Sequence, residues 1–137
     1  MEKYNIFMVI EPEEVKLLAF TDVVSVPDEF VGGENIRYAL SRFVQPVVGE
    51  RMLCAVSDGN YEDLKTKYLQ PAIAFYVRHI SGIDSDEESK RVITRARHYL
   101  KEMSRHLNTH SDSYREYDGA ENILNRCKIH GDLVQIL

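Results

Sequence analysis

The sequence predicts a mainly α-helical fold: a single helical-bundle domain over residues 1–137, with three main helices, short helices beside them and a small β element from the termini. Three observations carry this. Apolar residues recur at i, i+4, i+7, i+11 in Ile36-Leu40-Phe43-Val47 and again in Val92-Ala96-Tyr99-Met103, each a continuous stripe on a 3.6-residue helix. The octet Arg42-Phe-Val-Gln-Pro-Val-Val-Gly49 returns as Lys67-Tyr-Leu-Gln-Pro-Ala-Ile-Ala74, which reads as two helices shaped alike and packed on each other. No linker or low-complexity tract divides the 137 residues, a length near that of one domain and sufficient for a core without metal or disulfide.

Taken in order, Tyr4 to Ile10 is β-branched and aromatic and ends at Pro12, so it predicts a short strand or extended arm. Pro12-Glu13-Glu14 places proline and acids in a first helical turn, and Val15, Leu18 and Ala19 continue at helical spacing to about Thr21-Asp22. Val23 to Pro27 is extended. The first main helix is predicted over 29–48, with Gly49 as its C-cap. Arg51 to Val56 adds one or two turns and Ser57-Asp-Gly-Asn60 turns the chain. Asn60 then caps the second main helix, 60–81, closed by Gly82. Ser85-Asp-Glu-Glu88 fits a capping box before the third, 86–108. Ala120 to Arg126 predicts a short helix, and Cys127 to Leu137 two short strands about His130-Gly131-Asp132. The expected shared core is Ile36, Leu40, Phe43, Val47, Leu64, Phe75, Val92, Ala96 and Tyr99.

Pro46 and Pro71 each sit deep in a helical stretch. Each removes a backbone donor and crowds the carbonyl four residues back, at Arg42 and Lys67, which costs roughly 3 kcal/mol or more in an ordinary helix interior. Two kinked core helices explain the pair. An internal duplication of a solenoid unit would need a further repeat, and none is visible.

Composition excludes several functions. Net charge is -5 and the pI about 5.5, against the basic excess of a duplex-binding domain, although an acidic surface that DNA slides past is allowed. Cys54 and Cys127 share no motif with each other or with a histidine, which predicts two free thiols in a reducing compartment. The opening residues lack a signal-peptide pattern and no stretch has the apolar length of a membrane span. A cytosolic protein, or one made in a cytosol, is expected.

The chemistry-bearing patterns are sparse. Arg105-His-Leu-Asn-Thr-His110 matches the R-x4-H pattern of HEPN-type ribonucleases, in which histidine supplies acid–base catalysis and arginine holds phosphate charge. Here the pattern closes a helix, where cations are favoured by the helix dipole in any case. His106 and His110 have the spacing of two metal ligands on one face, but no Glu follows His106 in a His-Glu-x-x-His arrangement and no third ligand is marked. Gly32-Gly33 carries neither G-x-x-x-x-G-K nor G-x-G-x-x-G. The arginines of the third helix form either a solvated face or a surface for a partner, with Glu87 and Glu88 close enough to pair with Arg91. No catalytic, cofactor-binding or metal-binding residue is predicted, and the expected answer is not an enzyme.

The order of parts then carries a resemblance. Pro12-Glu-Glu-Val-Lys-Leu-Leu-Ala-Phe20 is followed by Pro27-Asp-Glu-Phe30, a helix ending Val47-Val-Gly49, and Leu64-x3-Tyr68-Leu-Gln-Pro-Ala-Ile-Ala-Phe-Tyr76. This resembles the small head–tail connector (adaptor) proteins of tailed phages and prophages, in a form found in Bacteroidetes. It covers residues 12 to about 110 and continues loosely to Asn122–Cys127. The stretch from Gly82 to Ser85 is shorter than the connection the resemblance implies. It implies an all-α structural virion protein that assembles with itself as a ring beneath the portal protein, against tail or stopper proteins. The place implied is the virion head–tail junction, reached from the bacterial host cytoplasm, with DNA passing through without sequence-specific contact and no membrane or cofactor. A ring needs two different patches on each subunit. The charges place one at Arg91, Arg95 and Arg105 and the other at Asp58, Glu62 and Asp63. Eight tyrosines suit such interfaces.

Overall fold

The computed structural model describes residues 4–130, with side chains described for 4–126. Among these residues it is mainly helical and contains no strand. Helix α1 is Ile6–Val9 and α2 is Pro12–Ala19. A 3-10 turn, Asp28–Val31, leads into α3, which runs unbroken through Gly33–Ala39, Leu40–Val44 and Gln45–Val48. Helix α4 is Glu50–Ser57, and α5 runs through Glu62–Leu64, Lys65–Leu69 and Gln70–Ser81. Helix α6 is Asp86–Thr109, a 3-10 turn follows at Ser111–Ser113, and α7 is Ile123–His130.

The repeated octets fold alike. In each, a π-helical turn stands just ahead of the proline: Leu40–Val44 before Pro46 and Lys65–Leu69 before Pro71. The N–H of Gln45 donates to the Leu40 carbonyl and that of Gln70 to the Lys65 carbonyl, five residues back in both cases. The widened turn restarts the α-helix at the glutamine. Each proline then occupies a first-turn position, where a missing N–H leaves nothing unmade. The two glutamines are structural. Gln70 Nε2 donates to the Val9 carbonyl at 2.9 Å and to Glu14 at 3.1 Å, while Gln45 accepts from the Tyr4 hydroxyl at 3.4 Å. Both octets thereby hold down the N-terminal segment.

Helix α5 is the hub. Every residue from Gln70 to Arg78 is buried, packed among α2, α3 and α6. A helix apolar on all faces belongs in a core rather than at a surface. Phe43 of α3 stacks on Tyr76 with ring centroids 4.3 Å apart, and Phe75 stacks on Tyr99 of α6 at 6.0 Å. Of the expected core, Ile36, Leu40, Val47, Leu64, Phe75, Val92 and Ala96 are buried. Phe43 and Tyr99 instead lie half-buried at its edge, because each covers one face of an inner ring and leaves its own outer edge in solvent. The Tyr76 hydroxyl is buried without a hydrogen-bond partner among the described residues, and burial pushes it up to about 12.

Several local expectations are corrected. Tyr4 to Ile10 is not a strand. Asn5 caps a helical turn by accepting from the Phe7 N–H at 3.0 Å, and Ile6, Val9 and Ile10 all bury. Packing of that triplet overrides the β propensity of its residues. The other half of the expected β element is helical over Cys127–His130, and its remainder, 131–137, lies outside the described residues. Asn60 does not cap α5. Its backbone N–H and its side-chain amide both donate to the Ala55 carbonyl, closing α4. The N-cap is Tyr61, in the left-handed region at φ 58. Gly49 ends α3 and also begins α4 at φ 86, and Gly82 closes α5 at φ 72, conformations that glycine adopts without a side-chain clash. Ser85 caps α6, accepting from the Glu88 N–H at 3.3 Å, which is the serine half of the expected capping box, while the Glu88 side chain pairs with Arg91.

Candidate functional site

Helices α5 and α6 run antiparallel. Tyr68 meets His106 at 5.4 Å between ring centroids, and seven residues further along α5, Phe75 meets Tyr99. The pair has a cleft at each end, about 20 Å apart by helix rise between Asp63 and Arg78.

The first cleft, near the α2 end, holds about 400 Å³. Arg91 and Arg95 form one wall, Leu18 and Asp22 the other, and Phe75 and Arg78 the floor. The sequence-predicted basic patch is therefore divided. Arg91 is exposed and bound to Glu88 one turn back. Arg95 lies over the Phe75 ring, 4.6 Å from its centroid, a cation–π contact that holds the guanidinium at the cleft mouth. Arg105 shares the helix face of both but lies fourteen residues, about 21 Å, along from Arg91, and pairs with Glu102 at 3.2 Å.

The second cleft, about 650 Å³, lies between the first turns of α5 and the end of α6. Asp63, Lys67 and Tyr68 line it from α5, His106 and His110 from α6, and Tyr114 from the turn beyond. His106 Nε2 is 2.8 Å from the Tyr114 hydroxyl. Burial first, then the neighbouring His110 and Lys67, hold His106 below the ordinary histidine range. Burial also raises Tyr114. The predicted acidic patch flanks this cleft. Asp63 lines it, Glu62 pairs with Lys65 at 3.4 Å, and Asp58 is exposed at the end of α4. Arg105 and His110 are not brought together: His110 lines the cleft, whereas Arg105 turns to Glu102. Among the described residues no group of three or more His, Cys, Asp or Glu is placed to hold a metal ion, and no helix is long and apolar enough to cross a membrane.

Two polar clusters went unread in the sequence. Arg78, with 7% of its surface exposed, donates from Nε and Nη2 to Asp84 at 2.9 and 2.7 Å. It also donates from Nη1 to Asp22 at 2.5 Å and to the Ala19 carbonyl at 2.8 Å. It thus binds the ends of α2 and α5 to the turn before α6. The two carboxylates hold its charge more firmly than usual, and Arg78 in turn lowers Asp22. An arginine inside the apolar run Ala72–Ile80 was the available signal. In the second cluster Asn122, fully buried, donates to Ser104 at 2.9 Å and to the Tyr117 hydroxyl at 2.8 Å, while Tyr117 donates to Asn108. This network fastens the segment after α6 onto α6. Asparagine carries no periodic signal, so nothing in the pattern marked it.

Comparison of the chain with family models, with curated proteins and with solved structures found no match.

Proposed function

We propose that the chain is a single helical-bundle domain with a structural rather than an enzymatic role, a subunit of a ring-shaped head–tail connector between portal and tail at the virion junction, made in the bacterial host cytoplasm. The separation of its charged patches carries the reading. The Arg91/Arg95 cleft and the Asp58, Glu62, Asp63 surface sit at opposite ends of the α5–α6 pair. A head-to-tail contact needs two different, complementary patches displaced from each other, because a patch that met its own copy would close a two-fold dimer instead. In this reading the arginine cleft of one subunit receives the acidic edge of the next. The exposed Leu17 and Leu18 beside the cleft supply apolar area, and the rim charges set register and partner choice. The portal protein and tail or stopper proteins are the proposed neighbours above and below, with DNA passing through the ring unread and the acidic surface offering it no adhesive contact.

The Arg91, Arg95 and Asp58, Glu62, Asp63 groups therefore have interface roles, and Arg105, at the acidic end, stands outside the basic half. The RNA-cleaving alternative needs Arg105 beside His110, if not within one chain then across a two-fold dimer, and within the chain Arg105 is paired with Glu102. A charge exchange tests the proposal. Arg95→Glu should abolish sedimentation of the chain as a ring, alone or on a phage portal protein, and mixing it with Asp63→Arg should restore a mixed assembly. Assembly indifferent to both substitutions would refute this interface.

A further inference from the structure

We propose that the cleft between the first turns of α5 and the end of α6 binds a phosphate monoester, with Lys67 and His110 meeting the phosphate and the Tyr68 and Tyr114 rings walling the group it carries. This goes beyond the connector reading and does not rest on it. The cleft's volume of about 650 Å³ falls within the range of small-ligand sites, which are largely apolar with a few convergent polar groups.

The hydrogen bonds fix what those groups offer. His110 Nδ1 lies 3.1 Å from the His106 carbonyl oxygen. A carbonyl only accepts, so Nδ1 carries the proton and Nε2 is left for a ligand. Tyr114, raised by burial, keeps its phenolic proton, and its hydroxyl occupies His106 Nε2 at 2.8 Å. Lys67 adds a permanent positive charge, its Nζ 5.5 Å from the centre of the Tyr68 ring, and Thr66 and Ser113 add hydroxyls at the rim.

The spacing of the two histidines selects the charge of the ligand. Their ring centroids are 4.5 Å apart, and in the empty cleft His110 and Lys67 both disfavour positive charge on His106. An anion seated beside them reverses the sign of that interaction. A phosphate monoester has its second ionisation near 6, in the range where histidines titrate. Its dianion can therefore accept from Lys67, and its monoanion can donate the remaining proton to His110 Nε2. A diester carries one charge fewer and gains less. Asp63, one turn before Lys67 on α5, also lines the cleft and can accept from hydroxyls of the bound group. Of the nearby charges on α6, Arg105 is engaged by Glu102.

The test is a titration of the full chain with inorganic phosphate, a nucleoside monophosphate and dimethyl phosphate, followed by NMR at the histidine ring protons. The expected result is saturable shifts at His106 and His110, while His79 and His98 stay still. The monophosphate should bind more tightly than inorganic phosphate, and both at least about tenfold more tightly than the diester. Lys67→Ala should weaken binding by roughly tenfold or more. Equal, non-saturating shifts at His79, His98, His106 and His110, or a diester that binds as well as the monoester, would overturn the proposal even if the variant failed to fold. If inorganic phosphate matches the monophosphate, the aromatic walls take no part and the assignment of an organic monoester is lost.

Discussion

Replacing Arg78 with methionine keeps most of the aliphatic volume and removes the guanidinium. In the folded protein that group donates to Asp84, Asp22 and the Ala19 carbonyl. The two carboxylates are not equivalent. The Asp84 side chain is 8% exposed and that of Asp22 is 64% exposed, so the Asp22 bond belongs with surface pairs worth about 0–1 kcal/mol. The cost comes from Asp84, left as a buried charge with no cation, and from the unmet Ala19 carbonyl. Breaking a buried pair in this way destabilises by about 3–5 kcal/mol. For a chain of this length that lowers Tm by roughly 10–20 °C. Urea unfolding followed by circular dichroism measures the loss. A double variant, Arg78→Met with Asp84→Leu, should recover most of it, because removing both charges also removes the desolvation cost. A single variant that loses less than about 1 kcal/mol, or a double variant as unstable as the sum of its parts, would refute this account of how α2, α5 and α6 are joined.

Phe43→Ala should cost about 2–3 kcal/mol in the same assay, below the value for a fully buried phenylalanine, because Phe43 is half-buried and contributes through its stack on Tyr76. Asn122→Leu removes two donors and the acceptor for the Leu124 N–H. It should cost about 2–3 kcal/mol and speed hydrogen exchange selectively over 114–126, while exchange in α5 is unchanged. Stability should fall as pH drops below about 6.5, since His106 is held low in the folded state and the unfolded chain binds its proton more readily, so the contribution is present above that range and lost below it. His106→Gln should flatten this part of the Tm–pH curve, and an unchanged slope would remove His106 as its source.

The three long helices were legible because their apolar stripes, Ile36 to Val47, Leu64 to Tyr76 and Val92 to Met103, are each long enough to show the helical period, and because Ser85, Gly49 and Gly82 mark their ends. The paired octets announced two helices of one shape, but not the device. A π turn depends on which carbonyl an N–H reaches, and residue types do not encode that directly. The N-terminal segment misled for a physical reason: over seven residues, one helical turn and a short strand bury the same apolar types, and packing decides between them. Of the site, the charged patches could be named from the helix face, yet their displacement to opposite ends of α5–α6 needed the antiparallel pairing of Tyr68 with His106 and Phe75 with Tyr99. Arg78 and Asn122 were illegible because their partners lie in other elements, at Asp22 and Ser104.

The central claim is assembly through two unlike patches. Mass measurement in solution, on the chain alone and then with a phage portal protein, tests it most directly. The account predicts a closed cyclic oligomer, either spontaneously or once the portal is added, disrupted by Arg95→Glu. A strict monomer, or a two-fold dimer that ignores the portal, would contradict it.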